Sequence, residues 1–365
     1  MKFQNRNLPQ IDFLKVAGAQ LILLHHLTVY GPMSDVAGEF APALFEWLYG
    51  QARLAVPLFL VAGGFLAARS LAPRASLAIG QPLLLIWKRY CRLAAPLAAA
   101  IALAMACAAF ARAAHPQASV PTAPGMLQVI AHLFLLQDLL DYEALSAGVW
   151  YVAIDFQLYA LMVALIWLSR LRGTAGHRRL AVTLVAGLAL ASLFYFNRIP
   201  SWDHWAVYFF GAYAMGALAF WASESRHPVR WLGFMTAVVT ATLMIDFRSR
   251  IAVALFAAVF LGLTIPAKLR AHQAVAKTMA FLGDISYSVF LVHYPVHLVV
   301  NALFGRLAPT DPATNALGML LAWSLSLVSG ALFHRYVEKP AGLWVAQITP
   351  VGLAAQPNRL GCSPK

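Results

Sequence analysis

Long apolar runs alternate with short polar segments along almost the whole chain. Ten runs have about 17–22 residues, enough to cross the roughly 30 Å hydrocarbon core of a bilayer as helices. A shorter apolar segment, Met126–Leu140, has acidic residues at its end and is interpreted as interfacial or re-entrant. The pattern predicts an all-α membrane protein with about ten transmembrane helices, near residues 11–30, 51–68, 91–111, 150–169, 180–196, 204–222, 231–247, 251–266, 285–303 and 315–334.

Composition and charge support a membrane protein. The chain is 61% hydrophobic and 11% charged, whereas a soluble domain carries about 25% charged residues. A net charge of +13 could suggest nucleic acid binding. However, with the N-terminus in the cytoplasm, all but six of the 27 Lys and Arg residues fall in cytoplasmic segments. This bias predicts that both termini are cytoplasmic and that the protein binds no nucleic acid; contact with anionic lipids is a secondary interpretation.

The domain organisation is simple. We predict one transmembrane domain over residues 1–345 and a disordered cytoplasmic tail over 346–365. The first apolar run contains a lysine and two histidines, which a cleavable signal peptide would not. Cys91, Cys107 and Cys362 have neither metal-site nor disulfide spacing.

Ionisable side chains interrupt the first apolar run. Lys15 and His26 are eleven residues apart, so at about 100° per residue they share one helical face, with His26 deep in the span. Such residues are costly inside a membrane and usually face a cavity or a partner. Asp12 precedes Lys15 by three residues and can pair with it. A snorkelling lysine with a histidine that hydrogen-bonds another helix is the alternative, and it stays open.

Two arginines begin the third span. Arg89 and Arg92 are three residues apart and therefore lie on one helical face at the cytoplasmic edge. Arginine recognises phosphate through two parallel hydrogen bonds, so the pair is a candidate phosphate clamp. A simple topology signal is the other interpretation.

The fourth span carries a carboxylate. Asp155 lies about a turn and a half into this span, with Tyr159 one turn further on the same face. An unpaired carboxylate there is unfavourable, so we expect a cation or a histidine beside it. Trp150 and Tyr151 fit the aromatic belt at a membrane interface.

The last two spans add further polar candidates. His293 and His297 have helical spacing, but a metal site needs three or four ligands, so we expect no metal and treat His293 as a packing or cavity residue. Glu338 follows the last span, where a solvated charge paired with Arg335 or Lys339 is the simplest interpretation.

In their order and spacing, these motifs resemble the integral-membrane acyltransferase-3 family, whose members use acyl-CoA to O-acylate cell-surface glycans and lipids. Lys15 replaces the family's Arg, Asp155 replaces its Glu, and Gly63 stands where Ser is usual, which suggests a divergent branch with an unusual acceptor. The family's motifs fall on Asp12, Lys15 and His26; Arg89, Arg92 and Pro96; Trp150 to Tyr159; Ser286, Tyr287, Leu291, His293 and Pro295; and Glu338 and Pro340.

The resemblance implies transfer of an acyl group, with acetyl preferred, from cytoplasmic acyl-CoA to a hydroxyl of an envelope glycan or lipid-linked sugar. It implies a multi-pass protein of the bacterial inner membrane whose partners are acyl-CoA, the acceptor and membrane lipids. His26 would act as general base and Asp155 would orient it or stabilise its protonated form. Lys15 would assist catalysis, and Arg89 and Arg92 would hold the donor.

Two other functions stay open. A transporter or exporter of an envelope precursor could use the buried His, Asp and Arg residues as a relay. A structural partner in an envelope-glycan complex could use them only to hold helices together.

Overall fold

The computed structural model describes residues 8–73, 75, 81–117, 119–266 and 273–348, with the backbone alone for 172–175. It is 84% helical and has no strand in this part of the chain. In the predicted tail, residues 346–348 are still helical, and the rest of that prediction lies outside the described residues.

The chain forms a succession of helices joined by short turns. Their bounds are α1 Pro9–Val29, α2 Met33–Ala37, α3 Pro42–Gln51, α4 Val56–Leu71, α5 Pro82–Ala114, α6 Met126–Leu133, α7 Val149–Leu168, α8 Gly173–Phe194, α9 Ala206–Ser223, α10 Pro228–Ile245, α11 Ser249–Thr264, α12 Gln273–Leu307, α13 Pro312–Phe333 and α14 Lys339–Ile348. A π-helical turn, His334–Glu338, connects α13 to α14.

The predicted membrane-spanning runs are helical. Helices α1, α4, α5 and α7 to α13 coincide with them. In the described residues, eight helical segments are long and apolar enough to cross a membrane, or nine if α1 and α2, bent by 95°, form one span. Helix α11 is apolar but has only 16 residues. Within the segment Met126–Leu140, only Met126–Leu133 forms a helix, the 8-residue α6. At about 12 Å, α6 is too short to cross a membrane.

Two packing relationships position the polar side chains. Helix α12 lies against α1, α5 and α13, and α9 lies against α4, α8 and α11. The α4–α9 contact is a backbone contact, because a Cβ at Gly64 would collide with the carbonyl oxygen of Tyr213 and one at Gly216 with that of Val61. Small residues allow such close approach of membrane helices.

Candidate active site

A pair of histidines joins α1 to α12. Nδ1 of His26 lies 2.7 Å from Nε2 of His293, and the two rings are within 7° of parallel. Nδ1 of His293 lies 2.7 Å from the carbonyl oxygen of Phe290 and 3.3 Å from that of Val289. Carbonyl oxygens only accept hydrogen bonds, so Nδ1 of His293 carries its hydrogen. In the neutral pair, Nε2 of His293 therefore accepts from Nδ1–H of His26, which leaves Nε2 of His26 with a free lone pair.

His26 borders a small cavity. Trp150 and Tyr151, for which we predicted an aromatic belt position, both line this cavity. Gly148 precedes them with φ of +80°, and a Cβ there would lie 2.5 Å from the ring of Phe290, so the position requires glycine. The lining residues are Ile22, His26, Val56, Phe59, Gly148, Trp150, Tyr151 and Phe290.

An ion pair joins α5 to α7. Nη2 of Arg89 donates to Oδ2 of Asp155 at 2.5 Å, and the guanidinium lies 5.2 Å from the ring centre of Tyr159. Asp155 thus has the cationic partner that a carboxylate inside a span needs. Asp155 and His26 form no hydrogen bond with each other, because the carboxylate of Asp155 bonds Arg89 and the imidazole of His26 bonds His293. The predicted orientation of His26 by Asp155 therefore has no direct contact behind it and stays a prediction.

Tyrosines surround the ion pair. Tyr213 of α9 and Tyr287 of α12 interact electrostatically with both Arg89 and Asp155. The hydroxyl of Tyr287 donates to a backbone carbonyl of α5. A Cβ at Gly63 would lie 3.3 Å from the ring of Tyr213 and 3.8 Å from Oδ1 of Asp155, so the glycine lets the Tyr213 ring pack closely beside the carboxylate.

Tyr151 lies between the two clusters, and the sequence interpretation missed its role. It precedes Asp155 by one helical turn and interacts electrostatically with Asp155 and Arg89. Its ring packs on Phe59 and Phe290, which line the cavity beside His26. Its hydroxyl has no hydrogen-bond partner among the described residues. The available sequence signal was its spacing of four from Asp155, which places both on one helical face.

Two predicted cations lie away from His26. Lys15 is half-buried and interacts electrostatically with Asp12, but the two form no close ion pair, contrary to our prediction. Its distance from His26, about 16 Å along the helix axis, also separates it from the histidine pair. Arg92 is exposed and interacts electrostatically with Tyr159. It therefore borders the ion-pair cluster from outside.

Glu338 has an architectural contact that we did not predict. Its Oε2 accepts hydrogen bonds from Ser288 at 2.6 Å and from Nδ1 of His334 at 3.0 Å. The prediction that Glu338 pairs with Arg335 or Lys339 is wrong, because its partners are Ser288 and His334. The bond from Ser288 ties the π-helical turn to α12 at a point five residues before His293.

His297 supports the chain after α1. Its Nε2 donates to the carbonyl oxygen of Tyr30 at 2.7 Å, and Asn301 donates to the same carbonyl at 3.2 Å. Among the residues that the structure describes, no group of three or more His, Cys, Asp or Glu side chains could hold a metal ion. His297 is thus held through Nε2, while its Nδ1 is buried and has no hydrogen-bond partner among the described residues.

One protein-family model matches a range of the chain that includes every residue of the candidate site except Glu338. The model of the acyltransferase domain family matches residues 8–335, which include α1 to α13. Glu338 lies just beyond the matched range. No curated protein and no solved structure shows a significant match to the chain.

Proposed function

We propose, from the premise that this chain belongs to the acyltransferase-3 family and is a multi-pass membrane acyltransferase, that its donor is cytoplasmic acyl-CoA, with acetyl-CoA preferred. The acceptor is a hydroxyl of a cell-envelope glycan or lipid-linked sugar at the bacterial inner membrane. His26 is the general base. The observation that supports this most strongly is the free lone pair on Nε2 of His26 at the cavity wall.

The reaction needs one base and no covalent enzyme intermediate. Nε2 of His26 takes the proton of the acceptor hydroxyl while its oxygen attacks the thioester carbonyl carbon. The new C–O bond forms, the C–S bond breaks, and the CoA thiolate leaves and recovers the proton from His26. Nδ1–H of His26 keeps its bond to His293 throughout. That bond strengthens when His26 becomes positively charged, so His293 orients the base as a carboxylate does in a serine hydrolase triad.

Arg89 is the proposed contact for the anionic donor. Its side chain keeps 31% of its surface exposed although it is paired with Asp155. Its Nε–H is buried and has no partner among the described residues, and such a donor in a site is available to a ligand oxygen. Arg92 adds a second, exposed cation. In this proposal Asp155 positions Arg89, and the hydroxyl of Tyr151 donates to the thioester oxygen as negative charge develops there.

The test is transfer from radiolabelled acetyl-CoA by the purified full-length protein in nanodiscs, supplied with envelope extract as acceptor. His26→Gln should lower turnover about 10²- to 10⁴-fold, the usual contribution of a general base. The matched control is His25→Gln on the next residue, whose Nδ1 contacts a backbone carbonyl of α3. Transfer that survives in His26→Gln, or is lost equally in both variants, would contradict the assignment. Mass spectrometry of envelope glycans from cells with and without the protein identifies the acceptor.

A further inference from the structure

A crevice of about 630 Å³ opens between α8, α9 and α10. None of its lining residues belongs to the candidate active site. Helix α9 forms its floor with Met215, Leu218 and Trp221, while α8 and α10 form the two walls. Ligand pockets have volumes of about 300–1,000 Å³, so the crevice is large enough for a sizeable ligand.

The crevice is polar at one end and apolar elsewhere. Its polar lining residues include Arg178 and Arg179 near the start of α8 and Ser225 just after the end of α9. Trp231, in the first turn of α10, lies at the same end and is 59% exposed. Successive helices run in opposite directions, so these positions meet at one mouth, on the predicted cytoplasmic side. The remaining walls are almost entirely aliphatic and aromatic.

The net charge at this mouth is positive. Arg178 and Arg179 are exposed, and neither forms an ion pair or a hydrogen bond with another described residue. The segment between α9 and α10 adds Arg226 and Arg230 and one acidic residue, Glu224. A cationic mouth above an apolar crevice is complementary to a molecule with an anionic head and hydrocarbon chains.

We propose that this crevice binds a membrane lipid with an anionic phosphate headgroup. The phosphate contacts Arg178 and Arg179, because a guanidinium group can donate two parallel hydrogen bonds to the oxygens of one phosphate. The lipid chains lie along the apolar walls of α8 and α10. The anionic lipids of the cytoplasmic leaflet supply this chemistry, and a zwitterionic headgroup is less favourable because its own cation would meet the arginines.

The first test is native mass spectrometry of the delipidated full-length protein titrated with phosphatidylglycerol or phosphatidylcholine. Wild type should retain phosphatidylglycerol preferentially at one site. Arg178→Gln/Arg179→Gln should weaken phosphatidylglycerol binding about tenfold or more, as expected for lost charged hydrogen bonds, with phosphatidylcholine unaffected. The control, Arg226→Gln/Arg230→Gln, removes the same charge at the same end from residues that do not line the crevice, and it should bind as wild type does.

A second pair of variants tests the apolar part of the crevice. Ala186→Trp fills the crevice and should abolish phosphatidylglycerol binding even with both arginines present. Gly187→Trp changes the next residue of α8, where an added Cβ meets nothing within 4 Å, and should bind normally. Equal retention of both lipids by wild type, or equal effects of the two double-arginine variants, would mean that only unselective annular lipid occupies the crevice. Phosphatidylglycerol binding unchanged in Ala186→Trp would equally overturn the proposal.

Discussion

The Arg89–Asp155 ion pair gives the sharpest prediction. Asp155→Asn removes the negative charge while keeping a side chain of nearly the same shape. Arg89→Gln removes the positive charge, and the double variant places two neutral amides side by side. If the pair acts as one unit, Asp155→Asn should leave the Arg89 guanidinium unpaired inside the bundle. Arg89→Gln should leave the Asp155 carboxylate unpaired there. The double variant should then be more stable than the sum of the two single effects predicts.

The magnitude follows from the exposure of the pair. Removing one partner of a fully buried ion pair costs about 3–5 kcal/mol. Arg89 keeps 31% of its side-chain surface exposed and Asp155 only 11%, so water can partly solvate the orphaned guanidinium in Asp155→Asn. We therefore expect a loss of about 1.5–3 kcal/mol, the range for a hydrogen bond to a charged group. A coupling energy of similar size should appear in the double-mutant cycle.

The assay is equilibrium unfolding of all four proteins in mixed detergent micelles, with single-turnover transfer measured on the same samples. Asp155→Asn should also lower donor affinity, because Arg89 loses its orientation. Unfolding free energies that add within about 0.5 kcal/mol would show that the two residues are independent and refute the ion-pair argument. A catalytic loss in Asp155→Asn that is unchanged by Arg89→Gln would instead point back to an action of Asp155 on His26.

Two further predictions concern the surroundings of the site. Tyr151→Phe should lower kcat about 10²-fold with KM nearly unchanged, because the hydroxyl acts on charge that develops only in the transition state; steady-state kinetics with wild-type kcat would exclude this donor. Gly64→Ala should destabilise the protein by about 1–3 kcal/mol, because the added methyl meets the backbone of α9 at Tyr213. Gly187→Ala, with open space around the added Cβ, is its control, and equal unfolding free energies for the two variants would contradict this account of the α4–α9 contact.

The membrane-spanning helices could be predicted from the sequence because a span is a local property. An apolar run of sufficient length has to satisfy its backbone within its own helix, so length and hydropathy identify it without knowledge of its neighbours. The short length of α6 was foreseeable for the same reason. The π-helical turn was not, because nothing in the local apolar pattern distinguishes it from continued α-helix.

The partners of the polar residues could not be predicted, because they depend on contacts between distant segments. His26 and His293 are 267 residues apart in the chain, and Arg89 and Asp155 are 66 apart. The sequence indicated that each of these side chains needed a partner but not which one. Helix packing decides that, and it pairs the acid with the arginine and the base with the second histidine. Tyr151 lacked any charge that would have drawn attention to it.

Because the tautomers of both histidines are fixed, the pair cannot pass a proton onward. A proton taken up at Nε2 of His26 could move to His293 only through the shared hydrogen bond. From there it would have to leave through Nδ1–H, which faces the backbone carbonyl of Phe290, and a carbonyl oxygen does not pass protons on. The proton must therefore leave from the side on which it arrived. Such a pair can accept a proton from the acceptor hydroxyl and return it to the leaving group, but it cannot conduct protons across the membrane.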